Sequence, residues 1–183
     1  MLKAKRITST DDELFRKVMD LYELSFPAVE KRDRADNEKL LRDERFWLLA
    51  LLDDGAFVGM AGIWDAEGML YVEHLCTSPE LRGKGYGAAA LELFKATGKT
   101  VVLEIEPPED ELTKRRQNFY LRSGFGFNPH IHRHPPYRAG DERHLLNVMS
   151  FPPSYGHSRR DRVGELHRGD SGRHKTVKRL RPL

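Results

Sequence analysis

The stretch MLYVEHLCTSPELRGKGYGA (69–88) decides how the rest of the chain is read. MLYVEHLCT (69–77) has the apolar, β-prone pattern of a strand. SPELRGKGYGA is a polar, glycine-rich turn, and AAALELFKAT (88–97) reads as a helix closed by Gly98. Gly83, Gly85 and Gly87 let the backbone approach a ligand closely and adopt positive φ. The helix that follows aims its free amides and positive dipole end at the same place. Together they form an anion site suited to a phosphate or pyrophosphate, with charge added by Arg82 and Lys84. A Walker loop is excluded, because Lys84 is followed by Gly85 and not by Ser or Thr. A dinucleotide fingerprint fits only loosely, through Gly83-x-Gly85-x-x-Ala88, with Glu104 about twenty residues on. That fingerprint opens directly after a strand, whereas here residues 78–81 intervene.

Outward from this stretch, FWLLALL (46–52), the turn 53–55 and AFVGMAGIW (56–64) lead through a second turn into 69–77. The three strands predict an antiparallel meander. Residues 2–8 read as an edge strand, and STDDELFRKVMDLYELSF (9–26) as a helix capped by Ser9 or Thr10 and ended by Pro27. Residues 33–44 form a second helix whose apolar face is Leu40 and Leu41. Downstream come a strand at 100–106, stopped by Pro107 and Pro108, and a helix at 111–124 with Gly124 at its C-cap. GFGFNPHIH (124–132) and LLNVMSF (145–151) complete the strands.

The 183 residues suit one domain. A single cysteine, Cys76, excludes an intramolecular disulfide and a zinc site built on several thiolates, and fits a reducing cytoplasm. There is no apolar run of the ~20 residues that a membrane span needs. The N-terminal MLKAKRITST lacks a secretory apolar core, so a cytoplasmic location is expected. The net charge of +3 is uneven: residues 152–183 hold nine basic and three acidic residues, and residues 1–151 carry a net −3. The division expected is a folded domain over 1–151 and a basic, disordered tail over 152–183. Tyr155 is the tail's one aromatic residue, which gives base stacking little support, so nucleic acid is not the expected partner.

Three elements together resemble the GNAT superfamily of N-acetyltransferases. The segment 75–87 resembles its acetyl-CoA motif, [RQ]-x-x-G-x-[GA], filled by Arg82, Gly85 and Gly87. Phe119 and Tyr120 resemble the aromatic pair that precedes the helix-ending Gly124-Phe125. Ser25-Phe26-Pro27, with Lys31 and Arg32 nearby, resembles the third element. The resemblance covers residues 1–151. It implies an α/β fold (α+β by strict layering): a mixed, mostly antiparallel sheet of six to seven strands with a V-shaped splay, flanked by about four helices. Pro135-Pro136-Tyr137 before the last strand resembles one bacterial subgroup of the family.

The resemblance further implies acetyl-CoA as co-substrate, no metal, and direct acetyl transfer to a primary amine in a ternary complex. The acceptor would be a small molecule or a protein, and a homodimer is a known assembly of such proteins. Leu75, Cys76 and Thr77 would lie against the acetyl carbonyl and pantetheine. The backbone of Arg82, Gly83, Lys84, Gly85, Tyr86, Gly87 and Ala88 would bind the pyrophosphate. Asn118, Arg115 or Arg116 would touch the coenzyme. Tyr120 would be the general acid. Glu73, taken to share the strand face of Leu75, would be the base or relay to water, with Glu104 second and Glu106 third. Phe26, Glu104 and Tyr137 would shape the acceptor site. His130, His132 and His134 alternate, a spacing that could ligate zinc, although surface histidines near the acceptor groove are the expected reading. Cys76 as a nucleophile, a non-catalytic acyl-CoA-binding or partner-docking module, and a dinucleotide-binding domain are the competing readings.

Overall fold

A computed structural model describes residues 1–137 and 144–153. Its elements run β1 (Leu2–Ile7), α1 (Glu13–Ser25), α2 (Arg34–Leu40), β2 (Phe46–Asp53), β3 (Ala56–Ala66), β4 (Met69–Thr77), α3 (Tyr86–Lys95), β5 (Thr100–Ile105), α4 (Glu111–Arg122), β6 (Gly126–His134) and β7 (His144–Phe151). The strands form one seven-stranded sheet in the order β1-β2-β3-β4-β5-β7-β6. Every neighbouring pair is antiparallel except β4 with β5. The expected α/β, mixed and mostly antiparallel architecture with four helices is therefore observed. Of the expected tail, everything from residue 154 on lies outside the described residues.

Local chemistry sets the ends of the elements. Helix α1 is capped by Asp12, whose carboxylate accepts from the Leu14 amide, not by Ser9 or Thr10; Ser9 instead accepts from the Asp11 amide one turn earlier. Helix α2 ends at Leu40, short of the expected 44, because residues 41–45 turn into β2. Helix α3 begins at Tyr86, two residues before the expected start, on Gly85 in the left-handed region (φ 85°).

Two apolar layers sandwich the sheet. On one face α1 packs Phe15, Val18, Met19 and Tyr22 against Phe46, Trp64, Met69 and Tyr71. On the other, Ala90, Leu91 and Phe94 of α3 meet Leu70, Val72, Val101, Leu103 and Phe125. One irregularity matters for the site. In the β3–β4 ladder, Ile63 pairs with Val72 but Gly62 pairs with His74, so Glu73 is an extra residue, a β-bulge. The bulge reverses the alternation of the strand. Tyr71 faces the α1 layer, yet Leu75 packs into the α3 layer and Cys76 into the α1 layer. The expectation that Glu73 shares a face with Leu75 is thus overturned, because a two-residue spacing across a bulge does not keep the face.

Candidate active site

The parallel β4–β5 ladder runs from Met69–Thr100 to Val72–Leu103 and stops. Beyond that point β5 continues only against β7, through Glu104–Val148 and Ile105–Asn147. The segment Glu73–Thr77 of β4 therefore presents a backbone edge that β5 has left, which is the expected splay. On its other side that segment remains paired with β3, where Gly59 lies opposite Thr77. A Cβ at Gly59 would come 2.5 Å from the Cys76 carbonyl oxygen, so close backbone approach demands glycine there. The open edge carries the backbone of Leu75, Cys76 and Thr77.

The chain leaves β4 through a short 3-10 turn (Pro79–Leu81) into the glycine turn. Gly83 (φ 78°) and Gly85 (φ 85°) take the left-handed conformation; a Cβ at either would meet nothing within 4 Å, so conformation rather than space requires glycine. The first helical bond runs from the Ala89 amide to the Gly85 carbonyl. The amides of Gly85, Tyr86, Gly87 and Ala88 precede that ladder and point outward from the helix start. The Arg82 and Lys84 amides donate instead to Pro79 and Leu81, each at 3.3 Å. The expected unbroken row of donors from Arg82 through Ala88 is thus interrupted at these two residues, because the turn needs them. The Tyr86 hydroxyl donates to Asp53 at 3.1 Å, so this side chain is turned toward β2.

The glycine turn and the aromatic pair meet directly. A Cβ on Gly87 would lie 3.3 Å from the Phe119 ring, so glycine here lets α3 and α4 pack closely. Tyr120 lies between Phe119 (ring centroids 5.0 Å apart) and Phe125 (5.9 Å). Burial pushes its hydroxyl up to about 12, so it holds its proton at neutral pH. Asn118 is exposed on α4, and Arg116 is paired with Glu106 at 2.7 Å. Cys76 is a poor nucleophile: burial pushes its thiol up to about 11, away from the thiolate form.

The α1/α2 side of the splay holds a buried charged cluster. Glu73 has no exposed side-chain surface and Arg32 only 3%. The Arg32 guanidinium donates to both carboxylate oxygens of Glu73, at 2.7 and 2.6 Å. Trp64 Nε1 donates at 2.9 Å and the Tyr137 hydroxyl at 3.0 Å to the same carboxylate. Arg32 is fixed in turn by its own amide, which donates to the Tyr22 hydroxyl, and its guanidinium lies 5.0 Å from the Tyr137 ring centre. Next to Glu73, the His74 ring sits edge-on to Phe26 (4.6 Å) and Tyr22 (4.9 Å), and its Nε2 donates to the Glu30 carbonyl at 2.8 Å. Burial lowers His74 to about 4, so it is neutral.

Glu104, the first β5 residue beyond the last β4–β5 pair, lies on the same face. It accepts from the Tyr71 hydroxyl at 2.8 Å and is bonded to His132 Nδ1. His134 Nε2 stands 4.0 Å from its other oxygen, and burial lowers the His134 ring below its ordinary value. The histidines expected at the surface are therefore largely interior: the side chains of His132 and His134 are 12% and 6% exposed. β6 folds them over Glu104 because a buried carboxylate needs partners. The side chain of His130 lies outside the described residues, and among the described residues no group of three His, Cys, Asp or Glu is placed to hold a metal ion.

The structure thus brings Glu73, Glu104, Phe26 and Tyr137 together on one side of the splay. It also brings in Trp64 and His74, which have no local signal beyond their residue type, and His132 and His134, whose alternation pointed to a shared strand face but not to Glu104. Buried ion pairing is a property of the assembled sheet, not of spacing along the chain.

The model of the acetyltransferase (GNAT) family matches residues 15–127, and the chain belongs to that family. It is 27% identical over 130 residues to a protein of Bacillus subtilis (strain 168) named "Putative acetyltransferase YjbC", spanning 70% of this chain and 66% of that relative. A solved GNAT-family structure from Bacteroides thetaiotaomicron is 32% identical, with TM-score 0.81, covering 91% of this chain and 94% of that one. A GNAT-family acetyltransferase of Elizabethkingia anophelis, solved with acetyl-CoA bound, shares the fold at 13% identity (TM-score 0.56, 81% of this chain and 96% of that one). Among the described residues, no helix is long and apolar enough to cross a membrane.

Proposed function

We propose that this chain is an acetyl-CoA-dependent N-acetyltransferase that acetylates a primary amine by direct attack in a ternary complex. The observation that carries this reading is the open β4 edge at Leu75–Thr77, which leads straight into the glycine turn at the start of α3. The residues present fit the coenzyme. Pantetheine carries amides that can pair with an unpaired strand edge, and the helix start offers amide donors to a pyrophosphate. The backbone of Leu75, Cys76 and Thr77 would hold the pantetheine arm. Gly83, Gly85, Tyr86, Gly87 and Ala88 would hold the phosphates through their amides, with Arg82 and Lys84 adding charge through their side chains. Asn118 would reach the coenzyme from α4. Bound acetyl-CoA supplies an acyl group already activated as a thioester.

The chain's own residues do the rest. An amide of Leu75 or Cys76 donates to the acyl oxygen as it gains negative charge. Tyr120, protonated at neutral pH, gives its proton to the departing sulfur. Glu73 serves as an anchor here: both oxygens of its carboxylate are already engaged, by a bidentate guanidinium and two further donors. Its work is to fix Arg32 and Tyr137 beside Phe26, where the acceptor amine of a small molecule or protein would sit. Glu104 near this side favours a cationic acceptor. The lone thiol, Cys76, fits the cytoplasm as the site of action.

Release of free thiol from acetyl-CoA, followed over a panel of primary amines, tests the reading. Turnover that saturates with one amine class supports it. Absence of coenzyme binding by calorimetry overturns it, and binding without turnover on any amine would point to the non-catalytic module.

A further inference from the structure

The α1/α2 side of the open β4 edge is lined by rings. Phe26 stands edge-on to His74 (4.6 Å), and Tyr137 lies 5.8 Å from the same imidazole while its hydroxyl reaches Glu73. The three rings therefore form one row beside residues 73 and 74 of β4. His74 is buried in the middle of the row, whereas Phe26 and Tyr137 at its ends keep part of their surface open. Leu24 and Val29, on either side of Phe26 in the chain, are exposed as well. Open apolar side chains gathered beside a site mark where an apolar ligand goes.

The fixed charges on this side are already engaged with groups of the protein. Glu73 faces the Arg32 guanidinium, Glu23 the Lys31 ammonium, and Glu104 the Tyr71 hydroxyl and His132. Glu30 is engaged as well, its carbonyl with His74. A second ammonium on the acceptor would have to leave water beside carboxylates that have their partners, and an acceptor carboxylate would meet Arg32 and Lys31 already paired. The Tyr137 ring is a poor place for another cation too, because the Arg32 guanidinium lies 5.0 Å from its centre. An alkyl or aryl group laid along the ring row gives up no hydrated charge and gains by burying its own surface.

We propose that the acceptor is a hydrophobic monoamine: one primary amine on an alkyl or aryl group that bears no second charge, bound along Phe26 and Tyr137. This rests on the acetyltransferase reading above and names the substrate class of that same site. The cationic acceptor favoured there then carries a single charge, that of the amine itself. Its nitrogen loses its protons to water and bonds the acetyl carbon as the C–S bond breaks, and the sulfur takes the proton of Tyr120, which water restores. Phe26 and Tyr137 determine specificity by shape and by the lack of a partner for any second charge.

The test uses the full chain and three acceptors that share a five-carbon chain: pentylamine, cadaverine and δ-aminovalerate. Pentylamine should show a kcat/KM at least about tenfold above that of either doubly functional analogue. From ethylamine to pentylamine, kcat/KM should rise about fourfold per methylene. Phe26→Ala should flatten this rise, lowering kcat/KM about tenfold more for pentylamine than for ethylamine, with coenzyme affinity by calorimetry reporting that the variant is folded. Should Phe26→Ala fail to bind coenzyme, Phe26→Leu, which keeps apolar bulk but no ring, should lower phenethylamine relative to pentylamine. A charged analogue that matches pentylamine, a flat alkyl series, a folded Phe26 variant with the selectivity of wild type, or a lysine-containing peptide that outpaces every free amine overturns the substrate class alone. A wild type that binds coenzyme and turns over no amine overturns the acetyltransferase reading, and the substrate class with it.

Discussion

On the α3/α4 side of the splay the outward-facing groups are backbone amides from one short segment, Gly83–Ala88, interrupted at Lys84. On the α1/α2 side they are side chains drawn from α1, the α1–α2 connection, β3, β4, β5, β6 and the Tyr137 loop. Positive φ at Gly83 and Gly85 builds the first side, and its distant contacts are few, Gly87 against Phe119 and Tyr86 with Asp53 among them. The second exists only once Arg32, Glu73, Trp64 and Tyr137 have been brought together. On the proposed function, the contrast teaches that a shared co-substrate would be held by local backbone geometry. The acceptor would be held by a buried network whose members stabilise one another, so damage to one member spreads.

The sharpest way to break this contrast is to remove Arg32. Arg32→Met leaves the Glu73 carboxylate buried without its guanidinium and should cost about 3–5 kcal/mol of stability, read from urea unfolding. Adding Glu73→Gln should recover part of the loss. A loss below about 1 kcal/mol would mean that the cluster is not held together by this pair. On the coenzyme side, Tyr120→Phe removes a proton donor and little packing. It should lower kcat about 100-fold with coenzyme affinity nearly unchanged, and equal activity would remove Tyr120 from the chemistry.

Acid separates the two sides next. His74 has a pKa of about 4 in the fold against an ordinary value of 6.5. The unfolded chain therefore binds this proton more readily, and stability falls as pH drops from about 6.5 toward about 4. Between pH 7 and pH 5 the loss from this group should be about 2 kcal/mol, seen as a steeper decline in the wild type than in His74→Gln. Burial acts on His134 in the same direction. The smallest effect should be that of Gly85→Ala, which forces a Cβ into the left-handed region at about 1 kcal/mol. Coenzyme affinity should weaken roughly tenfold, as titration calorimetry would show, with acceptor KM unmoved.

The two sides also differ in how far they could be read from residues alone. The glycine turn, α3 and the aromatic pair at Phe119 and Tyr120 were legible, because turn chemistry and helix signals act over a few residues. The limits were equally local: the Arg82 and Lys84 amides turned inward to close the 3-10 turn, and Asp12 took the cap assigned to Ser9 or Thr10. Across the sheet the sequence pointed to Glu73, Glu104, Phe26 and Tyr137 but misjudged the face of Glu73 and the exposure of His132 and His134. A bulge at Glu73 depends on the register of β3 against β4, and no spacing within β4 announces it.

The order of the elements, the meander, the glycine turn and the membership of this chain in its family follow from short-range patterns. Hydrophobic period, glycine φ and helix capping are set by neighbours within a few residues. The splay, the face on which each carboxylate lies and the pairing of Glu73 with Arg32 and of Glu104 with His132 were decided only by the folded sheet. Strand register sets which side chains share a face. Burial then forces charged groups from distant segments to find one another, because none of them can be left in the interior alone.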